Sequence, residues 1–290
     1  MTMFKNVLVG VDGRPNGSDA IALASRLTDP DGTLTFAHVH TGKLHPLHAI
    51  TPGLLAEERE ASAKLLEEAR AGADVSADLA SIVSISPGRG LHEHAEELNA
   101  DLLVVGSCSH GTLGRVMLGD DTRAALNGAP CAVAIAARGY AEHPTPIAKV
   151  GVGYNESPES QTALDAARKL AAFTRATVDV LQVVSIPSYA YAGPISAAIG
   201  DIDTMLSEAK DRMKDLLDVE GRAVYGLTGE ELAAFGNDVD ILVVGSRGYG
   251  PVRRLVLGST SEYLERHARC SLLVLPRMTK GPAGDSPISG

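Results

Sequence analysis

The chain has 290 residues, of which 44% are hydrophobic and 21% are charged, a composition typical of globular proteins and not of disordered chains. The length predicts two domains. A net charge of −10 without a block of lysine or arginine argues against general binding of nucleic acid or acidic membranes, and the absence of tryptophan leaves few platforms for base stacking. No apolar run approaches the ~20 residues of a membrane helix, and three cysteines cannot build a disulfide framework. We therefore expect a cytoplasmic protein.

Strands and helices are predicted to alternate through the first half of the chain. The strands are short apolar runs rich in valine, and the helices have apolar residues at helical spacing. In chain order the elements are the strand Val7–Val11, a helix capped by Asn16 or Ser18, the strand Thr33–Val39, the helix Leu54–Arg70, the strand Ser81–Ile85, the helix Gly90–Asn99, the strand Leu102–Val105, the helix Leu113–Leu126 and the strand Cys131–Ala136.

The second half repeats this order of elements. They are the strand Val150–Val152, the helix Ser157–Phe173, the strand Thr177–Val184, the helix Ile199–Leu217, the strand Arg222–Tyr225, the helix Gly229–Phe235, the strand Ile241–Val244, the helix Val252–His267 and the strand Leu272–Leu275.

The two halves are also similar in sequence. The stretches 106–119 and 245–258 are offset by 139 residues and share six of fourteen residues, which indicates an internal duplication. A period this long makes each copy a whole domain. We predict a first domain at 1–138, a linker rich in glycine and proline at 139–148, a second domain at 149–277 and a disordered tail at 278–290.

Apolar strands without alternation, separated by helices, predict an α/β fold of two tandem doubly wound domains, each with a five-stranded, mostly parallel sheet. Ligands of such sheets bind beyond the carboxyl ends of the strands. The residues that follow the first and fourth strands of each copy are therefore the first candidates for a functional site.

The loop after the fourth strand of the second copy has a pattern suited to phosphate. It begins Gly245-Ser-Arg-Gly248 and, nine residues later, continues with Gly258 and the hydroxyl residues Ser259, Thr260 and Ser261. Glycines allow close approach of the backbone and positive φ, successive N–H groups can bind an anion, and the start of a helix favours phosphate. Glycines that serve only as tight turns are the alternative interpretation.

This Gly-x-x-Gly-x9-Gly-Ser pattern, together with a first strand that ends in Val-x-Val-Asp, resembles the ATP-binding branch of the universal stress protein family. The resemblance extends over almost the whole chain as two tandem domains of the adenine nucleotide alpha hydrolase type. It implies that ATP binds with its base near the first two strands and its triphosphate in the glycine loop; an accompanying Mg²⁺ is left open.

The resemblance assigns nucleotide-contacting residues to this chain by their positions in the family's pattern. The resemblance implies that the nucleotide contacts Val183, Val244, Gly245, Gly248, Gly258, Ser259, Thr260 and Ser261 in the second copy. In the first copy it implies contacts from Asp12, Val39, Val105, Gly106 and Gly119. No catalytic residue and no metal ligand is assigned.

The two copies depart from the family pattern at different places. The first copy keeps Asp12 but has Ser109 in place of a glycine and Asp120 in place of the phosphate-binding serine. A carboxylate ~4 Å from a phosphate is repulsive by ~1 kcal/mol in water and about 4 kcal/mol near a protein surface. The second copy keeps the whole loop but has Gly153 where the family has aspartate, with Tyr154 and Asn155 as replacements. We therefore expect the second copy to be the stronger ATP site.

Weaker candidates lie elsewhere in the first copy. His40, His110, Asp12 and Asp120 are candidates for a metal or pH-sensing cluster at its mouth. Cys108 is a candidate redox residue, because nearby N–H groups lower a thiol pKa. Two further cysteines, Cys131 and Cys270, occupy equivalent strand starts and are best explained as small buried residues.

Three hypotheses on function follow. The first is an ATP-binding regulator of the stress response that acts through an unidentified protein partner. The second is a nucleotide-independent scaffold with decayed sites, and the third is a slow ATPase, although the chain has no P-loop motif. The resemblance also implies pairing through the last strands, here Val133–Ile135 with Leu272–Val274, as an intramolecular pseudo-dimer; a homodimer of whole chains is a further expectation.

Overall fold

The computed structural model describes residues 3–40, 54–73, 75–107, 123–125, 127–185, 195–246, 255 and 258–276. In the first half, the strands are β1 (Phe4–Gly10), β2 (Thr28–His40), β3 (Asp78–Val83), β4 (Leu102–Gly106) and β5 (Ala132–Ala136), and the helices are α1 (Pro15–Leu27), α2 (Leu54–Ala73) and α3 (Pro87–Glu97). In the second half, the strands are β6 (Lys149–Tyr154), β7 (Thr177–Val184), β8 (Glu220–Tyr225), β9 (Ile241–Gly245) and β10 (Ser271–Leu275), and the helices are α4 (Pro158–Thr174), α5 (Ile195–Lys214), α6 (Thr228–Phe235) and α7 (Ser259–His267).

The strands form one ten-stranded sheet in the order β3-β2-β1-β4-β5-β10-β9-β6-β7-β8. Within each half all pairs of neighbouring strands are parallel, as predicted for two doubly wound domains. The central strands are apolar throughout: every residue of β4, β5 and β10 is buried. Helices cover both faces of the sheet, so these strands are buried on both sides and show no alternation.

The two halves meet where β5 and β10 pair in antiparallel orientation. Leu272 is opposite Ile135, Leu273 is opposite Ala134 and Val274 is opposite Val133. The predicted pairing of the last strands is therefore confirmed. Because the direction of the strands reverses here, the carboxyl ends of the strands lie at opposite edges of the sheet in the two halves.

Some helix starts differ from the sequence-based expectation. Arg14, not Asn16 or Ser18, is the N-cap of α1, and its side chain makes no capping hydrogen bond. In the second half Ser157 caps α4 as a side-chain acceptor for the Ser160 N–H. The last helix begins at Ser259 with Gly258 as its N-cap, and Val252, where the sequence predicts its start, lies outside the described residues.

The remaining predicted elements agree with the structure to within a few residues, except that β2 starts five residues earlier than predicted. The predicted helix Leu113–Leu126 and the tail 278–290 lie outside the described residues, apart from 123–125. Among the described helices none combines the length and the apolar character needed to cross a membrane.

The β5–β10 joint generates a test of stability. Leu273 is fully buried beside Ala134, so we expect Leu273→Ala to lower the free energy of unfolding by about 2–5 kcal/mol, through lost apolar contact and a residual cavity. The measurement is urea denaturation followed by circular dichroism. The matched control is Leu217→Ala, because Leu217 is 74% exposed and its truncation should cost less than about 0.5 kcal/mol. Equal costs for the two variants would contradict burial of the joint.

Candidate functional site

A cavity of about 710 Å³ lies in the second half at the carboxyl ends of β6, β7 and β9. This is the edge at which open parallel sheets bind ligands. Its floor is apolar and includes Leu181, Val183, Leu232 and Val244. Its volume lies within the range of ~300 to 1,000 Å³ common for small-molecule sites.

Three helices begin at this cavity. The first residues of α4, α6 and α7, which are Pro158, Thr228 and Ser259, all line it. N–H groups in the first turn of a helix have no acceptor within the helix, and the helix dipole adds positive potential there. Among the described lining residues Glu159 is the one acidic or basic side chain. The described part of the cavity thus offers main-chain donors, rather than lysine or arginine, to an anion.

All described site residues predicted for the second half lie in this cavity. The lining includes Val183, Val244, Gly245, Gly258, Ser259, Thr260 and Ser261. Gly248, the eighth, lies outside the described residues. Thr228, Leu181 and Leu232 also line the cavity, although the sequence pattern did not select them. Thr228 follows β8 and Leu181 lies near the end of β7, which was the available signal, whereas Leu232 lies within α6 and had none.

Close packing of a helix against a strand explains why the first loop residue is a glycine in both halves. A Cβ atom on Gly245 would lie 2.7 Å from the backbone oxygen of Glu159, and a Cβ atom on Gly106 would overlap the backbone oxygen of Asn16. Neither glycine has positive φ, so the expected use of positive φ is wrong for Gly245. Only glycine allows the first turn of the helix to pack this closely on the strand.

Ser246, the next residue, has a hydroxyl group without a partner in the described part of the protein. Its N–H donates to the carbonyl oxygen of Leu275 at 2.9 Å, which fixes the backbone. Its Oγ is buried and finds no hydrogen-bond partner among the described residues, and Ser246 lines the cavity. A buried hydroxyl without a partner is costly unless a ligand or water satisfies it. The cavity therefore fits a ligand with oxygen acceptors.

Strand register shows which residues of the two halves correspond. Val7 of β1 is opposite Leu102 of β4, and Val150 of β6 is opposite Ile241 of β9. Leu102 and Ile241 are equivalent residues of the repeated fourth strand. Val7 therefore corresponds to Val150, an offset of 143 residues, whereas the glycine loops are offset by 139.

This register changes the assignment at the end of the first strand. Asp12 corresponds to Asn155, and Gly153 corresponds to Gly10. The expectation that Gly153 replaces the aspartate is therefore wrong. The segment between the first and fourth strands is four residues shorter in the second half, so the offset of 139 that aligns the glycine loops does not apply to β6, where the offset is 143.

Asp12 and Asn155 form the same local turn. Asp12 Oδ1 accepts a hydrogen bond from the Arg14 N–H at 3.1 Å, and Asn155 Oδ1 accepts one from the Ser157 N–H at 3.3 Å. Both are side-chain turns that precede a helix. The second half thus keeps the shape of this turn and replaces a carboxylate with a neutral amide.

The first half has a smaller cavity of about 110 Å³ at the corresponding place. Its lining includes Asp12, Val39, Val105 and Gly106, the four described residues that the family resemblance selects there. Gly119 lies outside the described residues, as do Ser109 and Asp120.

The histidines of the first half interact with their own neighbours. His38 Nδ1 donates to the carbonyl oxygen of Val11 at 2.8 Å. His40 Nε2 lies 3.1 Å from Ser81 Oγ, and His40 Nδ1 lies 3.5 Å from a carboxylate oxygen of Glu58. The described residues contain no group of three His, Cys, Asp or Glu side chains placed to hold a metal ion. His110, with Asp120, lies outside them.

The cysteines at the strand starts are buried. Burial raises the pKa of the Cys131 thiol and of the Cys270 thiol to about 12. Both remain protonated at neutral pH, so they behave as small core residues. Cys108, the redox candidate, lies outside the described residues.

Comparison with known proteins assigns the family. A family model described as the universal stress protein family matches residues 3–137 and again residues 146–276. The chain belongs to this family. The two matches show its tandem form, in which one chain carries two universal stress protein units.

Relatives of this universal stress protein support the assignment. A universal stress protein of Mycobacterium tuberculosis (strain ATCC 25618 / H37Rv) is 27% identical over 202 residues, which span 66% of this chain and 69% of the relative. Universal stress protein A homolog 1 of Coxiella burnetii is 32% identical over 130 residues, 41% of this chain and 89% of the homolog. A solved universal stress protein from Archaeoglobus fulgidus has a TM-score of 0.65 at 18% identity, covering 94% of this chain and 98% of its own, and so shares the fold.

One ion pair of this universal stress protein joins the two halves through α7, the helix that begins at the cavity. Arg123 Nη2 contacts Oε1 of Glu265, which lies on α7 and is 1% exposed. Burial raises the pKa of the Glu265 carboxyl, and the neighbouring Arg123 partly opposes this shift. Because the native state then binds the proton more tightly than the unfolded chain, Glu265 contributes stability at low pH that is lost as pH rises through its native pKa.

We therefore expect Glu265→Gln to change the pH dependence of stability. The free energy of unfolding of the variant should improve relative to that of the wild type as pH rises from about 4.5 to 8. Urea denaturation at several pH values measures this difference. Glu60→Gln, at an exposed position of α2, is the control and should follow the wild-type profile. A constant difference between Glu265→Gln and the wild type would contradict the raised pKa.

Proposed function

We propose that this universal stress protein is an ATP-binding regulator of the stress response that holds its nucleotide mainly in the second-half cavity. The observation that carries the proposal is the convergence of an apolar floor and three helix starts in one cavity of about 710 Å³. Its lining contains each described second-half residue that the family resemblance selects. Membership of the family supports the same interpretation.

The cavity has two chemically different sides, which match the two ends of ATP. Leu181, Val183 and Leu232 offer an apolar surface to a flat base. The residues 258–261 and Ser246 offer N–H and hydroxyl donors to a triphosphate. In this arrangement the amides of α7 bind the phosphate oxygens, and the Ser246 hydroxyl gains an acceptor that the described protein lacks.

The first half is proposed to bind ATP weakly or not at all. The sequence places Asp120 where the second half has Ser259, at the proposed phosphate position. Carboxylates near a triphosphate are repulsive. One bound nucleotide per chain is therefore expected.

The regulatory role follows from where the nucleotide would act. A bound triphosphate would order the residues around the start of α7, and a partner protein would distinguish the bound from the free surface. The proposed partner is a protein that contacts this edge of the second half.

Ser259 provides the test. It is exposed at the first position of α7, where an acidic residue favours the helix, so Ser259→Asp should fold normally. The substitution introduces at this position the aspartate that the first half has at the equivalent position, Asp120, and so puts a carboxylate beside the proposed phosphate position. We expect ATP affinity to fall at least tenfold, since repulsion of about 1–4 kcal/mol is expected there. The matched control Ser259→Asn is neutral and nearly the same size, and should lose less than about threefold.

The measurements are isothermal titration with ATP, AMP and inorganic triphosphate, and native mass spectrometry to count bound ligands. Equal ATP affinities of Ser259→Asp and Ser259→Asn would contradict the placement of the phosphate at the start of α7. Absence of any bound nucleotide in the wild type at millimolar ATP would favour a scaffold over an ATP-binding regulator.

A further inference from the structure

A segment of the first half contacts the second half on both sides of the proposed phosphate position. This bridging segment, residues 123–125 and 127–129, precedes β5. Because β5 and β10 are antiparallel, the amino end of β5 lies at the same edge of the sheet as the carboxyl end of β9. The end of the bridging segment therefore lies at the same edge of the sheet as the second-half cavity, while Ala125 also lines the cavity of its own half.

The first contact is made by main-chain groups. The Gly128 N–H donates to the carbonyl oxygen of Leu255 at 2.9 Å, and the Leu255 N–H donates to the carbonyl oxygen of Ala129 at 3.0 Å. Leu255 is fully buried and lies three residues before Gly258, the N-cap of α7. These two hydrogen bonds hold the chain that enters α7.

The second contact is the ion pair between Arg123 and Glu265. Glu265 lies in the second turn of α7, four residues after Ser261. Its Oε1 pairs with Arg123, whereas its buried Oε2 has no hydrogen-bond partner among the described residues, and Arg266 Nε is 4.0 Å from Oε1. Arg123 is thus the principal compensation for a buried carboxylate.

We propose that the bridging segment positions the start of α7, and that Arg123 is a positioning residue of the first half for the site of the second half. The proposal rests on the proposed function, because its ligand is the same triphosphate. Main-chain donors bind an anion strongly only when their geometry is set before binding. Contacts at 255 and 265 fix the helix before and after residues 258–261.

The ion pair has no counterpart at the equivalent positions of the two halves. The residues at the equivalent positions, offset by 139, are Glu262 for Arg123 and Leu126 for Glu265. A leucine and a glutamate cannot form an ion pair, so these positions give the first half no equivalent support. The asymmetry agrees with a second-half cavity that is the stronger site.

Arg123→Gln in the full-length protein tests the proposal. Arg123 is 40% exposed, so its replacement leaves no internal cavity. We expect ATP to bind at least fivefold more weakly by isothermal titration, and the amides of 258–267 to exchange at least tenfold faster in the ligand-free protein by hydrogen-exchange mass spectrometry.

Two controls separate positioning from general destabilisation. Arg222→Gln removes an ion pair with Asp238 in the same half, away from the cavity, and should change affinity less than twofold. Leu170→Ala destabilises the core at the far end of α4 and should lower the unfolding midpoint without a change in ATP affinity below that midpoint.

Each outcome decides the proposal. It is overturned if Arg123→Gln binds ATP within twofold of the wild type and exchanges normally in α7, or if Leu170→Ala weakens binding as much as Arg123→Gln. If the wild type binds no ATP, the proposed function fails, and the exchange of α7 amides alone then supports or overturns the positioning role.

Discussion

The antiparallel pairing of β5 with β10 is the constraint on which the rest of the structure depends. It joins two parallel five-stranded halves into one sheet and covers two apolar edges that would otherwise be exposed. It also reverses the direction of the second half relative to the first. As a result the amino edge of one half adjoins the ligand-binding edge of the other, and a cross-half contact such as Arg123 with Glu265 becomes possible.

The two halves of a duplicated chain need not bind a ligand equally well. In this protein the differences between the halves favour the second half as the nucleotide site. The second half has an intact run of hydroxyl residues at the start of α7, where the first half has aspartates at 120 and 121. The first half supplies the bridging segment. In the proposed mechanism, one half binds the nucleotide and the other supports the geometry of that binding.

Much of the fold and of the candidate site could be predicted from the sequence, because apolar runs, glycines and a repeated motif are local signals. The parallel strands of each half, the joint and the described residues of the second cavity are examples. Other features depend on long-range register. The correspondence of Asp12 with Asn155 is established by strand pairing, since the offset there is 143 residues and not the 139 of the glycine loops. Packing against Glu159, which explains Gly245, and the ion pair of Arg123, 142 residues from Glu265, have no local pattern at all.

The central claim is that the main-chain amides at the start of α7 bind a triphosphate. A crystal structure of the full-length protein with a non-hydrolysable ATP analogue tests this most directly. The account predicts phosphate oxygens within hydrogen-bond distance of the amides of 259–261, the base against Val183, and no nucleotide beside Asp12. A nucleotide bound only in the first half, or a triphosphate directed away from α7, would contradict it.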